Sequence, residues 1–207
     1  MEINPFEIYP DEYENWFIDN KIIFQSELLA LKQVVPIEKK GVEIGIGSGI
    51  FAEKLDIKFG IDPSEMMLEY AKNRNLIVEK GFAEKLPYTD KTFDFAVFIT
   101  SICFIKNPHE ALKEAYRILK DNGIIIIAFI DKNSSIGKTL EKQKQESKFY
   151  KNANFYSVKE MISLIEQNDF EIMTICQTLI DMNLPIPENP KNGYGEGGFV
   201  VIKGIKK

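Results

Sequence analysis

The residues with the clearest capacity for chemistry form a glycine-rich run at the end of the first predicted strand. An apolar run that contains Glu43 leads into three glycines at alternate positions, Gly45, Gly47 and Gly49. Glycine has no Cβ, so the backbone can turn sharply there and a ligand can approach it at van der Waals distance. The pattern predicts a buried strand that ends in a tight loop. We therefore interpret the loop as a candidate nucleotide site.

Other polar or small residues directly follow other apolar runs of the chain. Asp62 ends the second run, Ala83 and Glu84 lie beyond the third, and Thr100 follows the fourth. In an open α/β sheet, ligands bind at the carboxyl ends of the strands, near the point where the strand order reverses. We therefore expect these places to meet the glycine loop in space and to bind the same ligand.

The elements that must position these residues alternate between strand and helix. The strands are predicted at residues 42–46, 57–61, 76–78, 93–99 and 124–130, and the helices at residues 48–55, 64–71 and 108–119. Strands that are apolar on both faces and alternate with amphipathic helices imply a parallel sheet covered on both sides. Right-handed crossovers make such a sheet doubly wound. The predicted fold class is α/β and Rossmann-like, with seven strands expected.

Both ends of the chain depart from this alternation. Residues 1–40 are rich in aromatic and acidic side chains and then follow a helical pattern, which predicts an N-terminal helical cap. Residues 138–148 and 158–167 each predict a further helix. Two strand-like runs, residues 170–180 and 199–205, have no helix between them, and such strands pair antiparallel. We therefore expect a mostly parallel sheet with an antiparallel C-terminal strand.

The size and composition of the chain limit its function class. The 207 residues suit a single domain, in which residues 41–131 form the cofactor-binding core and residues 132–207 a helical insertion and a C-terminal hairpin. The net charge of −5 argues against a general nucleic-acid or anionic-membrane binder. The N-terminus has no signal-peptide pattern, and the two cysteines are predicted to be free. A cytoplasmic protein with no metal site is therefore expected.

The glycine loop permits more than one nucleotide cofactor. A dinucleotide fingerprint needs G-x-G-x-x-G/A, and it fails from Gly45 because Ile50 occupies the third position. It passes from Gly47, but Asp62 then falls short of the roughly 20-residue spacing expected of a ribose acid. Glu43 also has no role in that register. A dinucleotide cofactor is thus a weak alternative.

Several motifs in order resemble one family, the class I S-adenosylmethionine-dependent methyltransferases. Residues 43–49 resemble its first motif, an acid followed by G-x-G-x-G. Residues 60–68 are similar to the second motif of its small-molecule branch (methyltransferase type 11-like), and residues 81–87 resemble the adenine loop. Residues 93–94 and 114–120 resemble the surroundings of its fourth strand and the following helix. The likeness covers residues 41–131 densely.

The resemblance implies S-adenosylmethionine as the cofactor and a role for each matching residue. Backbone N–H groups of the glycine loop would approach the aminoacyl end, and Glu43 would support its ammonium group. Asp62 would accept hydrogen bonds from both ribose hydroxyls. Pro63 and Met67 would enclose the adenine, and the backbone N–H of Ala83 would meet a ring nitrogen.

One position departs from the family pattern. Phe82 stands where the family often has a polar residue for the adenine amino group. Glu84 or a backbone carbonyl can supply that contact instead. The glycine loop itself is unaffected by the departure.

The acceptor side of the site is less specific in the sequence. Methyl transfer from a sulfonium is an in-line displacement that requires alignment of the reactants, and no side chain is identified as catalytic. The aromatic residues Tyr13, Trp16, Phe149 and Tyr150 are candidates for contact with the acceptor, and the N-terminal segment is a candidate lid. A small-molecule acceptor is expected. An NAD-dependent oxidoreductase and a non-catalytic S-adenosylmethionine-binding regulator remain alternatives.

Overall fold

The computed structural model describes residues 4–181 and 185–207, and these residues form eight α-helices and eight strands. The helices are α1 (Pro5–Ile8), α2 (Pro10–Asp19), α3 (Lys21–Val34), α4 (Ile50–Lys54), α5 (Glu65–Asn73), α6 (Pro108–Ile118), α7 (Ser135–Gln143) and α8 (Val158–Glu166). The strands are β1 (Gly41–Ile44), β2 (Phe59–Asp62), β3 (Ile77–Lys80), β4 (Phe93–Ile99), β5 (Leu119–Ile130), β6 (Phe170–Thr178), β7 (Lys191–Asn192) and β8 (Phe199–Lys206). None of the described helices has both the length and the apolar composition needed to cross a bilayer.

All the strands belong to one sheet with the order β3-β2-β1-β4-β5-β8-β6-β7. The first five strands run parallel, whereas β8 runs antiparallel to both β5 and β6. Strand β1 lies between β2 and β4, so the strand order reverses beside it. The predicted doubly wound sheet with an antiparallel C-terminal strand is confirmed. The carboxyl ends of β1, β2 and β4 therefore form the edge where a ligand site is expected.

Helices cover both faces of the sheet, as strands without a polar face require. Helices α6 and α8 pack on one face around Phe98, Leu112 and Met161, none of which is exposed. Helices α3, α4 and α5 pack on the other face, where the buried side chains include Leu31 and Phe51. The central strands are thus buried on both sides and form a rigid base for the loops at their carboxyl ends.

The N-terminal segment folds as helices that lie against the body of the protein. The N-terminal arm, defined here as residues 5–19, consists of α1 and α2. Asn4 caps α1, since its side chain accepts a hydrogen bond from the backbone N–H of Phe6. Helix α1 contacts α5, and α3 packs against β6 and β8. The predicted cap is thus mostly helical up to Val34, and residues 35–40 lead into β1 without regular structure. Residues 1–3 of the cap lie outside the described residues, as do residues 182–184 of the predicted C-terminal loop.

Several predicted boundaries were wrong for local physical reasons. The sheet has eight described strands and not seven, because the two-residue strand β7 pairs with β6. Strand β5 begins at Leu119 and not at residue 124, because Leu119 pairs with Phe93 before a shift in register. Helix α7 begins at Ser135 and not at residue 138, because the Ser134 hydroxyl caps it by accepting from the N–H of Gly137.

Candidate active site

The glycine loop joins β1 to α4 at the carboxyl edge of the sheet. Gly45, Gly47 and Gly49 have φ angles of +76°, +53° and +77°, a left-handed conformation that strains residues with a Cβ. The N–H groups of all three donate hydrogen bonds within the protein. Gly45 donates to the carbonyl oxygen of Ile61, Gly47 to Oδ2 of Asp62, and Gly49 to the carbonyl oxygen of Ile46 in the loop itself. The protein's own acceptors thus use the N–H groups of the three glycines, and the approach of other N–H groups of the loop to a ligand stays a prediction.

The three glycines differ in what surrounds them. A Cβ at Gly45 would lie 2.4 Å from Cβ of Ser101, and a Cβ at Gly49 would lie 2.3 Å from Cδ1 of Leu76. At Gly47 the nearest atom would be the Tyr13 hydroxyl oxygen, at 3.6 Å. Gly45 and Gly49 thus permit close packing of the protein itself. Only the Gly47 position leaves room for a ligand.

Two buried acids lie beside the loop, on neighbouring strands. Glu43 of β1 is 2% exposed and Asp62 of β2 is 8% exposed. Asp62 accepts from the N–H of Gly47 and of Ser64, both at 2.9 Å, whereas Oε2 of Glu43 is buried with no partner among the described residues. Burial raises the pKa of Asp62 to about 6. Burial raises the pKa of Glu43 well above its usual value, and the charge of Asp62 raises it further. A hydrogen bond from the backbone N–H of Ala52 lowers this pKa, but by less.

The predicted adenine side is assembled from the segments after β2 and β3. Pro63 is exposed, whereas Met67 is fully buried on α5. The backbone N–H of Ala83 donates to no described group, so it is available to an acceptor. Phe82 is 65% exposed, and Oε1 of Glu84 already accepts from the N–H of Asn107 at 3.2 Å. Glu84 is thus engaged in holding the loop that precedes α6.

The N-terminal arm is fixed across this site by polar contacts with α5. The Ser64 hydroxyl donates to Oε2 of Glu7 at 2.5 Å. Arg74 pairs with Glu14 of the arm and also donates to the carbonyl oxygen of Ser48 at 3.0 Å. One guanidinium therefore connects the arm to the glycine loop, and the arm closes over the residues that would hold the cofactor.

Tyr13 is the arm residue that lies nearest to the loop. It is 3.6 Å from the position of a Cβ at Gly47, and its ring contacts Phe149 with the centroids 6.3 Å apart. Burial raises the pKa of Tyr13, and the nearby charges of Glu43 and Asp62 raise it further. Its hydroxyl therefore stays protonated and can act as a hydrogen-bond donor at neutral pH.

A narrow cleft lies on the other side of the loop, beyond the ends of β4 and β5. It encloses only about 10 Å³, and its lining is mostly aromatic: Thr100, Cys103, Phe129, Ile130, Tyr150, Phe155 and Tyr156. Thr100 has a φ of +50°, so the chain turns abruptly into the cleft after β4. Burial raises the pKa of the Cys103 thiol to about 12, and its sulfur donates to Thr100 O. Cys103 is thus a neutral wall residue and not a thiolate.

The predicted acceptor-side residues separate in the structure. Tyr150 lines the cleft, and Phe149 lies between the cleft and the arm, with its ring centroid 5.4 Å from that of Phe6. Tyr13 lies closer to the cofactor loop, as described above. Trp16 is 42% exposed and packs edge-on against Phe17, so its contact with an acceptor stays a prediction.

Sequence reasoning missed several residues that shape the site. Ser101 donates from its hydroxyl to the carbonyl oxygen of Ile44 at 2.6 Å and so ties the end of β4 to the end of β1. Arg74 and its partner Glu14 are 60 residues apart, and no local pattern relates them. Glu27 is an acid on the buried side of α3, 5% exposed. An acid within an otherwise apolar helical pattern is the signal that could have identified Glu27.

The buried groups fit the cofactor that the motifs imply. S-adenosylmethionine carries an ammonium group, and the unpartnered Oε2 of Glu43 is an acceptor for such a donor. Among the residues that the structure describes, each oxygen of Asp62 accepts only one hydrogen bond, so each has a lone pair left for a hydroxyl. The space at Gly47 lies between these acids and the arm. These acceptor groups and this space therefore suit a nucleoside that carries an aminoacyl group.

Comparisons with known proteins agree with the cofactor that the motifs imply. A family model described as a methyltransferase domain matches residues 42–127. The chain is 48% identical to a Thermotoga maritima protein of known crystal structure, and the TM-score is 0.95 over 98% of this chain and 99% of that one. That protein is described as an S-adenosylmethionine-dependent methyltransferase and possible histamine N-methyltransferase. It is 42% identical to an uncharacterised Methanocaldococcus jannaschii protein, over 99% of this chain and 100% of that one. It is 31% identical, over 46% of each chain, to the ubiquinone/menaquinone biosynthesis C-methyltransferase of Rickettsia bellii.

Proposed function

This chain belongs to the class I S-adenosylmethionine-dependent methyltransferases, in the type 11 branch, and we propose that its methyl acceptor is a small molecule. It is an enzyme, and S-adenosylmethionine is its cofactor. The relatives above whose descriptions name an activity are methyltransferases, so the oxidoreductase and the non-catalytic regulator have no support from them. What remains to be proposed is the role of each residue and the nature of the acceptor.

The cofactor residues have distinct proposed roles. Gly47 gives the aminoacyl end room to lie against the backbone, while Gly45 and Gly49 maintain the loop's shape. Glu43 binds the ammonium group through Oε2, and Asp62 accepts from the ribose hydroxyls. Support comes from the burial of both acids and from the unused acceptor capacity of each.

We assign the adenine to the segments after β2 and β3. Pro63 and Met67 border it, and the free N–H of Ala83 donates to a ring nitrogen. Glu84 acts indirectly, because its carboxylate holds the N–H of Asn107 and so fixes the loop. Thr100 stands where the cofactor site and the cleft meet.

The enclosure of the cleft is the observation that carries the proposal of a small acceptor. The cleft encloses only about 10 Å³, roughly the room for one water molecule, so an acceptor enters only when the lining side chains move apart, and a large body has no place there. Tyr150, Phe155 and Tyr156 form part of its wall, and the neighbouring Phe149 contacts Phe6 of the arm. A nucleic acid or a protein presents its nucleophile on a large body and needs an open face. The narrow cleft therefore favours an acceptor that can be enclosed.

The reaction needs alignment and exclusion of water more than it needs a base. When bound, S-adenosylmethionine supplies an electrophilic methyl group on a positively charged sulfur. The aromatic walls at Tyr150 and Phe155 exclude water and position the acceptor for in-line attack. The neutral Cys103 thiol and the protonated Tyr150 hydroxyl, whose pKa burial raises, do not compete as nucleophiles.

The test is methyl transfer from labelled S-adenosylmethionine to pooled small metabolites, to total tRNA and to a protein extract. We expect label in the small-molecule fraction and formation of S-adenosylhomocysteine at the same rate. Thermal-shift titration should show stabilisation by S-adenosylhomocysteine and none by NADH. Label confined to the macromolecular fractions would refute the small-molecule acceptor. Stabilisation by NADH alone would refute the cofactor assignment.

A further inference from the structure

The Tyr13 hydroxyl is a polar group of the N-terminal arm that has no partner in the part of the chain that the structure describes. The backbone N–H of Tyr13 donates to Tyr9 O, but no hydrogen bond among the described residues includes its phenolic oxygen. Its ring packs edge-on against Phe6 and Phe17, with centroid distances of 5.8 Å and 5.1 Å, and also contacts Phe149. Aromatic packing alone therefore directs the hydroxyl, which is free to bond a ligand.

This hydroxyl lies at the space beside Gly47, on the same side of the loop as the two buried acids. Its oxygen is the nearest atom to a Cβ added at Gly47, at 3.6 Å. The charges of Glu43 and Asp62 both act on it, and with burial they keep the pKa of Tyr13 raised. The hydroxyl thus carries its proton at neutral pH and can donate into the space between the acids and the arm.

An aminoacyl ligand in this space brings a carboxylate as well as an ammonium group. Both groups are attached to the same carbon atom, so an ammonium group at Oε2 of Glu43 places the carboxylate close to the same acid. A carboxylate that leaves water is strongly destabilised unless it accepts hydrogen bonds. The ligand's carboxylate therefore needs a donor that lies close to Glu43.

Other donors beside the loop are engaged or enclosed. The N–H groups of the three loop glycines donate within the protein. The guanidinium of Arg74 donates to the carbonyl oxygen of Ser48 and pairs with Glu14. The Ser48 side chain is fully buried, so its hydroxyl has no access to the space at Gly47. Tyr13 is thus a donor that packing leaves open to this space.

We propose that the Tyr13 hydroxyl donates a hydrogen bond to the α-carboxylate of S-adenosylmethionine, so that the N-terminal arm supplies part of the cofactor site. This assignment rests on the proposed role of Glu43 and adds a partner for the second charge of the aminoacyl group. Tyr13 is then a contact of the cofactor and not of the acceptor. It binds the carboxylate and exchanges no proton during methyl transfer.

The test is calorimetric titration of the complete 207-residue chain with two ligands. The first is S-adenosylhomocysteine, and the second is S-adenosyl-3-thiopropylamine, which keeps the ammonium group but lacks the carboxylate. Tyr13→Phe removes the hydroxyl and keeps the ring. Tyr70→Phe is the matched control, because it removes a hydroxyl that ties α5 to Asp11 of the arm. Urea unfolding checks the fold of each variant, and Tyr13→Phe should retain it because the lost hydroxyl has no protein partner.

We expect the unmodified protein to bind S-adenosylhomocysteine at least about tenfold more tightly than the analogue, because a hydrogen bond to a charged group contributes about ten- to hundredfold. Tyr13→Phe should weaken the binding of S-adenosylhomocysteine about tenfold or more and leave the affinity for the analogue unchanged. Tyr70→Phe should retain the full preference for the ligand with the carboxylate.

Three results would overturn the proposal: equal binding of the two ligands by the unmodified protein, no loss of affinity for S-adenosylhomocysteine in Tyr13→Phe, or equal losses for both ligands in that variant. In each of these cases S-adenosylhomocysteine still binds the unmodified protein, and the proposed function stands. Failure of S-adenosylhomocysteine to bind the unmodified protein would instead refute the proposed function itself.

Discussion

Replacing Gly47 with alanine should separate cofactor binding from folding. At a φ of +53° a Cβ destabilises the backbone by roughly 1–2 kcal/mol, and the less flexible unfolded chain offsets roughly 0.4–1 kcal/mol of this. The new methyl group meets only the Tyr13 hydroxyl, at an ordinary contact distance of 3.6 Å. The free energy of unfolding should therefore fall by only about 1 kcal/mol. The methyl group nevertheless fills the space proposed for the aminoacyl end of the cofactor.

The affinity for S-adenosylhomocysteine should fall far more than the stability. Forcing a methyl group into an occupied contact opposes binding by roughly 1–3 kcal/mol, or about five- to 150-fold. Urea unfolding measures the first quantity and calorimetric titration the second. Gly49→Ala is the matched control: its Cβ would lie 2.3 Å from Cδ1 of Leu76, so it should destabilise the fold by roughly 2–4 kcal/mol. Unchanged affinity in Gly47→Ala would refute the assignment of this position.

Three further predictions concern charged groups of the site. Glu27→Gln should become more stable than the unmodified protein as the pH rises from about 4.5 to about 8. The difference between their unfolding free energies should grow by up to about 5 kcal/mol, because in this window the unfolded chain releases the Glu27 proton while the folded protein keeps it. A difference independent of pH would contradict the buried, unpaired carboxyl. Arg74→Met should reduce the unfolding free energy by about 1.5–3 kcal/mol and speed chymotrypsin cleavage in the arm. Lys80→Met, which breaks an exposed pair, should change the unfolding free energy by less than about 1 kcal/mol. Equal effects of the two variants would argue against the arm contact. Glu43→Gln should weaken the binding of S-adenosylhomocysteine about ten- to hundredfold. Titration should show no change in the binding of an analogue that lacks the α-amino group. Equal losses of affinity for both ligands would contradict the assignment of Glu43 to the ammonium group.

The alternation of strands and helices, and the polar residues at strand ends, were predictable because they follow from local patterns. Strand β1 is recognisable from its buried apolar run, and the antiparallel end of the sheet follows from the absence of a helix between residues 170–180 and 199–205. Asp62 could be assigned to the site because a strand end fixes its position. Each of these inferences uses residues close together in the sequence.

The N-terminal segment was a candidate lid from its sequence, but the contacts that hold the arm in place were not predictable in the same way. The arm contacts join Glu7 to Ser64 and Glu14 to Arg74, pairs that are 57 and 60 residues apart. The hydrogen-bond partners of the glycine N–H groups likewise depend on how β2 lies beside β1. Such contacts arise from packing, and a single sequence carries no local signal for them.

The internal hydrogen bonds of the glycine loop have a consequence for how strongly a ligand can bind. Because Ile61 O, Asp62 and Ile46 O hold the three glycine N–H groups, folding alone sets the conformation of the loop. Glycine-rich segments lose much conformational entropy when they become ordered, and here that loss belongs to folding and not to association. The loop is therefore preorganised, and binding energy from the acids and the arm appears in the affinity without being offset by ordering of the loop.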